Sequence, residues 1–470
     1  MIQSFSYQYF QLNPYIMQNS GTGHIRKKLP IYLGLLLFLT RVLWPISANE
    51  SSELGEDLAQ IVRPRRQHIE TTALGKWVKR LDRRHYELSK QGILVESLDG
   101  QKVLAELNPD LPLNPASVMK VATSLVALEK LGPKHRFVTQ IYGDVPLESS
   151  QRSLASNFYL LSDGNPVFTR SDVRRCARAL VRQGIRRFEG DLIVIGPFSL
   201  KARYSPKYTA RVFRRILRRV GIRIKGKTYL RLKSDFQEQS KVKFLTHHSD
   251  PLGEILWRLN AFSTNDVADR LGRSLGGAGE IQEFLIREYD LNRADLYVEK
   301  PSGLEYNRMT ARAVIQVLRA LHHQLKNNQM KMRDILPVAG IDRGTLRLRF
   351  RSPSYRGGLV GKTGTNSSKD GGVSSLAGLA VTQRYGPVLY AILNSQGDVQ
   401  TYRRWQDQFL KNLIKESGGV NQPLDLNPIR IKKAYSLSPW ILVSRHYQRN
   451  NQDFKRWSLG RKANLNQIGS

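Results

Sequence analysis

The sequence predicts an α/β fold of the α+β type, with helices flanking an antiparallel sheet and an inserted α/β module. Three observations predict it. Gly92-Ile-Leu-Val-Glu-Ser-Leu-Asp-Gly100 alternates and ends in Asp-Gly, a hairpin turn signal, and residues 102–107 supply the partner strand. Residues 373–382 and 387–394 read as two late strands around Gln383-Arg-Tyr-Gly386. Between the hairpin and these strands the apolar pattern is largely helical, and residues 139–245 change character. The chain has 470 residues, which suggests two or three structural units, and its 40% hydrophobic content excludes disorder throughout.

The elements follow in order. Arg26, Lys27 and Lys28 precede an apolar run from Leu29 to Leu39, which meets Arg41 and ends near Ile46-Ser-Ala-Asn49. A basic flank, about ten apolar residues and a small residue before a cut describe an export signal. The run is shorter than the roughly 20 residues of a membrane-spanning helix. Residues 1–48 are therefore expected to be an export signal or an uncleaved anchor, with Met17 as an alternative start. Residues 49–75 read as a linker or early helix. The Ala-rich stretch after Asn114 predicts a buried helix starting near Ser117 and stopped by Gly132-Pro133.

Within the module, residues 172–183 and 209–220 read as helices and 191–195 as a strand. Residues 250–275, 280–289, 309–326 and 400–417 are helical by pattern. The expected organisation is an export segment (1–48), a discontinuous catalytic domain (49–138 with 246–418), a basic inserted module (139–245) and a basic tail (419–470).

Charge narrows the partners. The chain carries 74 Lys+Arg against 39 Asp+Glu, a formal +35, and residues 170–233 hold 20 of the basic and 3 of the acidic residues. Nucleic acid, an anionic lipid surface and an anionic wall polymer all suit such a charge. Export disfavours nucleic acid. Cys176 is the single cysteine, which excludes an intramolecular disulfide and a Cys-rich zinc site. His247-His248 and His322-His323 lack metal-ligand spacing, and Gly276-Gly-Ala-Gly279 reads as a turn between helices rather than a dinucleotide loop. No metal or cofactor is expected.

Three short motifs could carry chemistry. In Ser117-Val-Met-Lys120, a serine at a helix start has a lysine three residues on, on the same face. A buried lysine loses part of its preference for the charged form and can take the serine's proton. Ser240-Lys-Val-Lys243 matches the same pattern, but in a polar, charge-rich stretch. In Ser263-Thr-Asn265, a hydroxyl and a carboxamide can both face a cleft, or the serine can cap the next helix. Lys362-Thr-Gly-Thr365 follows Gly357-Gly-Leu-Val-Gly361, where glycines let a strand edge approach a ligand and the lysine and hydroxyls suit a carboxylate.

Together the three match the S-x-x-K, S-D-N and K-T-G set of penicillin-binding proteins and β-lactamases. The order is right, with 146 residues from Ser117 to Ser263 and 99 from Ser263 to Lys362. The long first gap resembles the D-alanyl-D-alanine carboxypeptidase/endopeptidase family, the class C low-molecular-mass penicillin-binding proteins. Ser162-Asp-Gly-Asn-Pro166, Ser249-Asp-Pro-Leu-Gly-Glu-Ile-Leu256, Pro301-Ser-Gly-Leu304, Leu336-Pro-Val-Ala-Gly-Ile-Asp342 and Gly344-Thr-Leu346 are also similar, so the resemblance covers roughly residues 90–415. Thr264 departs from the family's usual aspartate, and Lys300-Pro301 from its acidic-glycine pair.

The resemblance implies a penicillin-binding-protein/β-lactamase-like transpeptidase fold and a serine DD-peptidase acting on peptidoglycan stem peptides, trapped by β-lactam antibiotics. It implies Ser117, Lys120, Ser263 and Lys362 as catalytic, and Asn265, Thr363, Gly364 and Thr365 as substrate-binding. The Arg-rich module reads as a solvated face or as a contact for anionic wall polymer or membrane surface. The rival readings are a non-catalytic peptidoglycan-binding protein of the same fold, and a β-lactamase or esterase.

Overall fold

The computed structural model describes residues 67–147, 152–424, 426–429 and 440–442; the expected export segment lies outside them. The main sheet has six strands, in the order Gln67–His68, Lys102–Leu107, Gln91–Ser97, Gly386–Asn394, Val373–Thr382 and Leu359–Asn366. All pairings but the first are antiparallel. The predicted hairpin turns at Asp99-Gly100, where Gly100 takes φ +79.

Both faces of this sheet are covered, so its strands are buried along most of their length. Strand alternation divides the core. Ile93, Val95, Leu376 and Ile392 face Trp77 and Phe409, which lie on the helices Thr72–Arg83 and Val399–Glu416. Leu94, Leu379 and Ala391 lie in the cluster that includes the helices Met119–Leu131 and Ala311–Asn327. Every residue of the former from Met119 to Leu128 is buried, which is why the segment is apolar all round and rich in small residues.

A second sheet runs in the order Thr228–Arg231, Leu192–Ile195, Phe158–Ser162, Val138–Gly143, Val242–His248 and Ile441–Leu442. The helices Arg170–Arg182 and Pro206–Val220 share a hydrophobic cluster with one of its faces. Both start earlier than their apolar pattern suggested, because polar caps set their ends. Thr169 and Asp172 form a capping box, and Ser205 caps with Pro206 in the first turn.

One expectation is corrected. The segment 250–275 is two helices, Leu252–Phe262 and Asn265–Ser274, because Ser263 adopts the left-handed region at φ 55, ψ 46 and breaks the helix. The described part of 49–75 is a short strand and the start of the helix Thr72–Arg83, in line with the early-helix alternative, and that helix buries Trp77 and Leu81 fully. Part of the expected tail is also attached: Trp440 packs on Phe168 and His247, and Ile441–Leu442 pairs with the Val242–His248 strand.

Candidate active site

The site forms where three chain segments meet at the mouth of the Met119–Leu131 helix. A single 3-10 turn, Ala116–Val118, leads into that helix and holds Ser117 half-exposed. The turn is strained: Ala116 takes φ +44, stabilised by a 2.9 Å bond from its N–H to Asn114 Oδ1. Gly303, at φ +81, lies directly on the Ala116 carbonyl oxygen, where any Cβ would overlap it.

Lys120 lies one turn along, fully buried. Its Nζ donates to Ser117 Oγ at 2.8 Å, to Asn265 Oδ1 at 2.6 Å and to the Ser302 carbonyl oxygen. An ammonium supplies three donors, so all three acceptors are met. If one proton leaves, the two acceptors that have no proton of their own, an amide and a carbonyl oxygen, keep the remaining N–H groups. The amine lone pair then faces the hydroxyl of Ser117, which can donate to it. Burial lowers the Lys120 pKa to about 7, against a partial opposing pull from Asp269. Asp269 also fixes the Ser302 backbone, accepting its N–H at 2.9 Å. An unfolded lysine holds its proton up to about 10.5 whereas folded Lys120 releases it near 7, so this group makes stability rise with pH across that interval.

The break at Ser263 places the second motif. Ser263 closes one helix in the left-handed conformation and Asn265 opens the next, so the hydroxyl faces the cleft instead of capping. Ser263 Oγ accepts a 3.0 Å bond from Lys362 Nζ, which also donates to the Thr363 carbonyl at 2.7 Å. Lys362 is fully buried, and burial together with the nearby Lys120 holds its pKa well below the ordinary lysine value.

The Leu359–Asn366 strand is the edge of the main sheet. Gly361 donates its N–H to the Pro337 carbonyl, off that edge. By strand alternation the N–H groups of Thr363 and Thr365 point off the same edge, beside the Ser117 turn. Gly364 is needed there, because a Cβ would press into the Pro115 carbonyl oxygen and the Ala116 side chain. Thr363 Oγ1 donates to Thr345 Oγ1 at 2.8 Å, while the exposed Thr365 accepts from Arg403 Nη2 at 2.7 Å.

All eight residues singled out by the motifs therefore lie in or beside one cleft, linked by the Lys120 and Lys362 hydrogen bonds and the strand edge. Ser240, the competing match, sits on an exposed turn far from these partners, with Lys243 paired to Glu238 at 2.9 Å. Motif reading missed Ala116, Ser302, Gly303, Asp269, Thr345 and Arg403. Pro301-Ser-Gly-Leu304 and Gly344-Thr-Leu346 were visible as segments, but nothing in them announces a backbone contact.

Comparison with known proteins gives the family and the fold. Residues 79–195 and 196–413 match the D-Ala-D-Ala carboxypeptidase 3 (S13) family. The chain is 26% identical over 343 residues to the D-alanyl-D-alanine carboxypeptidase DacB of Haemophilus influenzae; the match takes in 68% of this chain and 63% of that protein, less than two thirds of its length. The structure is similar to a predatory peptidoglycan endopeptidase of Bdellovibrio bacteriovorus, with TM-score 0.61 at 20% identity over 75% of this chain and 98% of that one. It is also similar to penicillin binding protein 4 of Haemophilus influenzae, with TM-score 0.57 at 19% identity over 69% and 96% of the two chains. The fold is that of the penicillin-binding-protein/β-lactamase-like transpeptidases.

The contact of Gly303 with Ala116 yields a prediction. Gly303→Ala pushes the Ala116 carbonyl, and with it Ser117, out of line with Lys120. Acylation by penicillin, followed as a second-order rate constant, should slow about 100-fold, the scale of a misplacement near 1 Å. The melting temperature reports separately on folding.

Proposed function

The chain belongs to the D-Ala-D-Ala carboxypeptidase 3 (S13) family, and we propose that it is a serine DD-peptidase that cleaves D-alanyl-D-alanine ends or peptide cross-links of peptidoglycan. The observation that carries the reading is the buried Lys120 amine, bonded to Ser117 Oγ and depressed to about 7. Neutral Lys120 takes the Ser117 proton as Oγ attacks the carbonyl of the penultimate D-alanine. The N–H groups of Ser117 and Thr365 receive the oxyanion, each such donor being worth roughly 3–4 kcal/mol in a serine hydrolase. Ser263, held by Lys362, passes a proton to the leaving amine.

Asn265 Oδ1 is engaged by Lys120, which leaves its Nδ2 to hold a substrate carbonyl. Thr363, Gly364 and Thr365 line the edge along which the substrate's C-terminal end lies. Water then releases the acyl group. The same serine reacts with β-lactams, in keeping with the name of the penicillin binding protein 4 relative. The export reading of the N-terminal segment and the proposed wall substrate together support a location in the periplasm or at the wall. The Arg-rich module suits contact with anionic wall polymer or membrane there.

The labelling test separates the rivals. Fluorescent penicillin should form a stable adduct on Ser117, located by peptide mass spectrometry and absent from Ser117→Ala, and the enzyme should release D-alanine from a D-Ala-D-Ala peptide. Folded protein that leaves penicillin intact and takes no label would point to a non-catalytic wall-binding protein. Hydrolysed penicillin without label would point to a β-lactamase.

The acylation rate should also depend on pH with a known sign. Lys120 is active when neutral, so the rate rises with pH to a plateau above about 7 and falls about tenfold per unit below it. A rate independent of pH between about 5 and 9 would contradict Lys120 as the base.

A further inference from the structure

We infer that Asp269 is a positioning residue for acylation: its carboxylate pins the turn from Lys300 to Gly303, which sets Ser117 and Lys120, and stands as the counter-charge of the Lys120 ammonium. The inference rests on the DD-peptidase reading and deepens it by naming the group that governs the base.

The turn touches both members of the reacting pair. The Ser302 carbonyl accepts from Lys120 Nζ, and Gly303 lies on the Ala116 carbonyl, one residue before Ser117. Three bonds fix the turn. Gly303 N–H donates to the Lys300 carbonyl at 2.9 Å, Thr123 Oγ1 to the Pro301 carbonyl at 2.7 Å, and Ser302 N–H to Asp269 Oδ1 at 2.9 Å. The last two grip the carbonyl and the N–H of one planar peptide unit, so together they set its orientation. The bond to Asp269 has a charged acceptor, which makes it the strongest of the three. Pro301 fixes φ in the same turn, and its ring packs so closely on Gly272, in the helix that carries Asp269, that a Cβ there would overlap it. Ser302 is fully buried, so no water replaces the carboxylate on its N–H without cost.

Two charges act on Lys120: Asp269 favours its ammonium form, and Lys362 on the edge strand repels it. Other charges on the surrounding helices pair away from it. On the helix of Asp269 itself, Asp266 meets Arg270 at 3.7 Å. On the neighbouring helices, Arg258 meets Asp250, Arg312 meets Asp110, Arg319 meets Glu96 and Glu280 meets Lys130. Asp269 is therefore the anion that opposes burial and Lys362. Without it the amine would shed its proton at lower pH and be neutral over a wider range, but it would be a weaker base for the Ser117 hydroxyl. One carboxylate thus fixes the place of the base and its strength.

The test follows penicillin acylation of the full chain between about pH 5 and 9, beside Asp269→Asn, Asp269→Glu and Thr123→Val. Asp269→Asn keeps an oxygen for the Ser302 N–H and removes the charge. Its acid limb should move about one pH unit lower, the low end of what an opposite charge contributes, with a modestly lower plateau. Thr123→Val loosens the same peptide unit without touching charge, so it should lower the plateau and leave the limb in place. Asp269→Glu keeps the charge and should keep the limb at the wild-type pH. An Asp269→Asn limb that does not move, with the rate lowered alike at every pH, would make Asp269 a strut for the turn and overturn the inference. If Asp269→Asn fails to melt cooperatively, Asp269→Glu carries the test. Its longer side chain displaces the turn, so the plateau should fall at an unmoved limb, and a wild-type plateau overturns the inference. A wild type acylated at a pH-independent rate would defeat Lys120 as the base, and this inference with it. A wild type that takes no penicillin would defeat the DD-peptidase reading on which both stand.

Discussion

The site depends on one buried amine. Lys120 is fully enclosed, so its charged form is penalised, and every acceptor around it must be placed to tolerate both protonation states. Three groups do this: the hydroxyl three residues before it and, from segments distant in sequence, the Asn265 amide and the Ser302 carbonyl. Each is fixed by a different device. Ser117 is set by a strained turn locked under Gly303, Asn265 by the break at Ser263, and Ser302 by the Asp269 carboxylate that grips its N–H. The second amine, Lys362, adds repulsion, which further favours one neutral lysine in the cleft.

The architecture follows from supporting that amine. A helix that buries a lysine must itself be buried, and Met119–Leu131 is enclosed by the Ala311–Asn327, Leu252–Phe262, Asn265–Ser274 and Ala278–Tyr289 helices and the sheet. The sheet's edge strand brings Gly364 against the Ser117 turn, where a side chain would hold it away. The basic module touches this machinery through the second-motif helix: Arg270 donates to the carbonyls of Asn165, Phe168 and Ser199, and Ala202 N–H donates to Asp266 Oδ1. The helix that carries Asn265 and Asp269 is thus tied to the second sheet's loops.

Much of this was legible in the sequence, for identifiable reasons. Ser117 was separable from Ser240 because a lysine that must lose its proton needs an apolar helix, and only one of the two matches sits in one. The hairpin and the two late strands were legible because alternation and turn chemistry agreed. The break within 250–275 was not, because apolar periodicity continues through it and a single left-handed serine ends the helix. Helix starts at Arg170 and Pro206 were missed by a few residues because caps, not apolar residues, set them. Gly303 against Ala116, Asp269 beneath Lys120 and Arg403 on Thr365 were beyond reach of pattern reading, since each is a tertiary contact between segments whose local sequence is unexceptional.

The most direct test of the account is the titration of Lys120 itself. Protein labelled with 13C at the lysine ε-carbon, compared with a Lys120→Met sample to assign the signal, would show its protonation directly. The account predicts a resonance that titrates near pH 7, far below the exposed lysines. A Lys120 signal that titrates with the bulk near 10.5 would mean that the amine stays charged in the cleft, and would contradict its role as the base for Ser117.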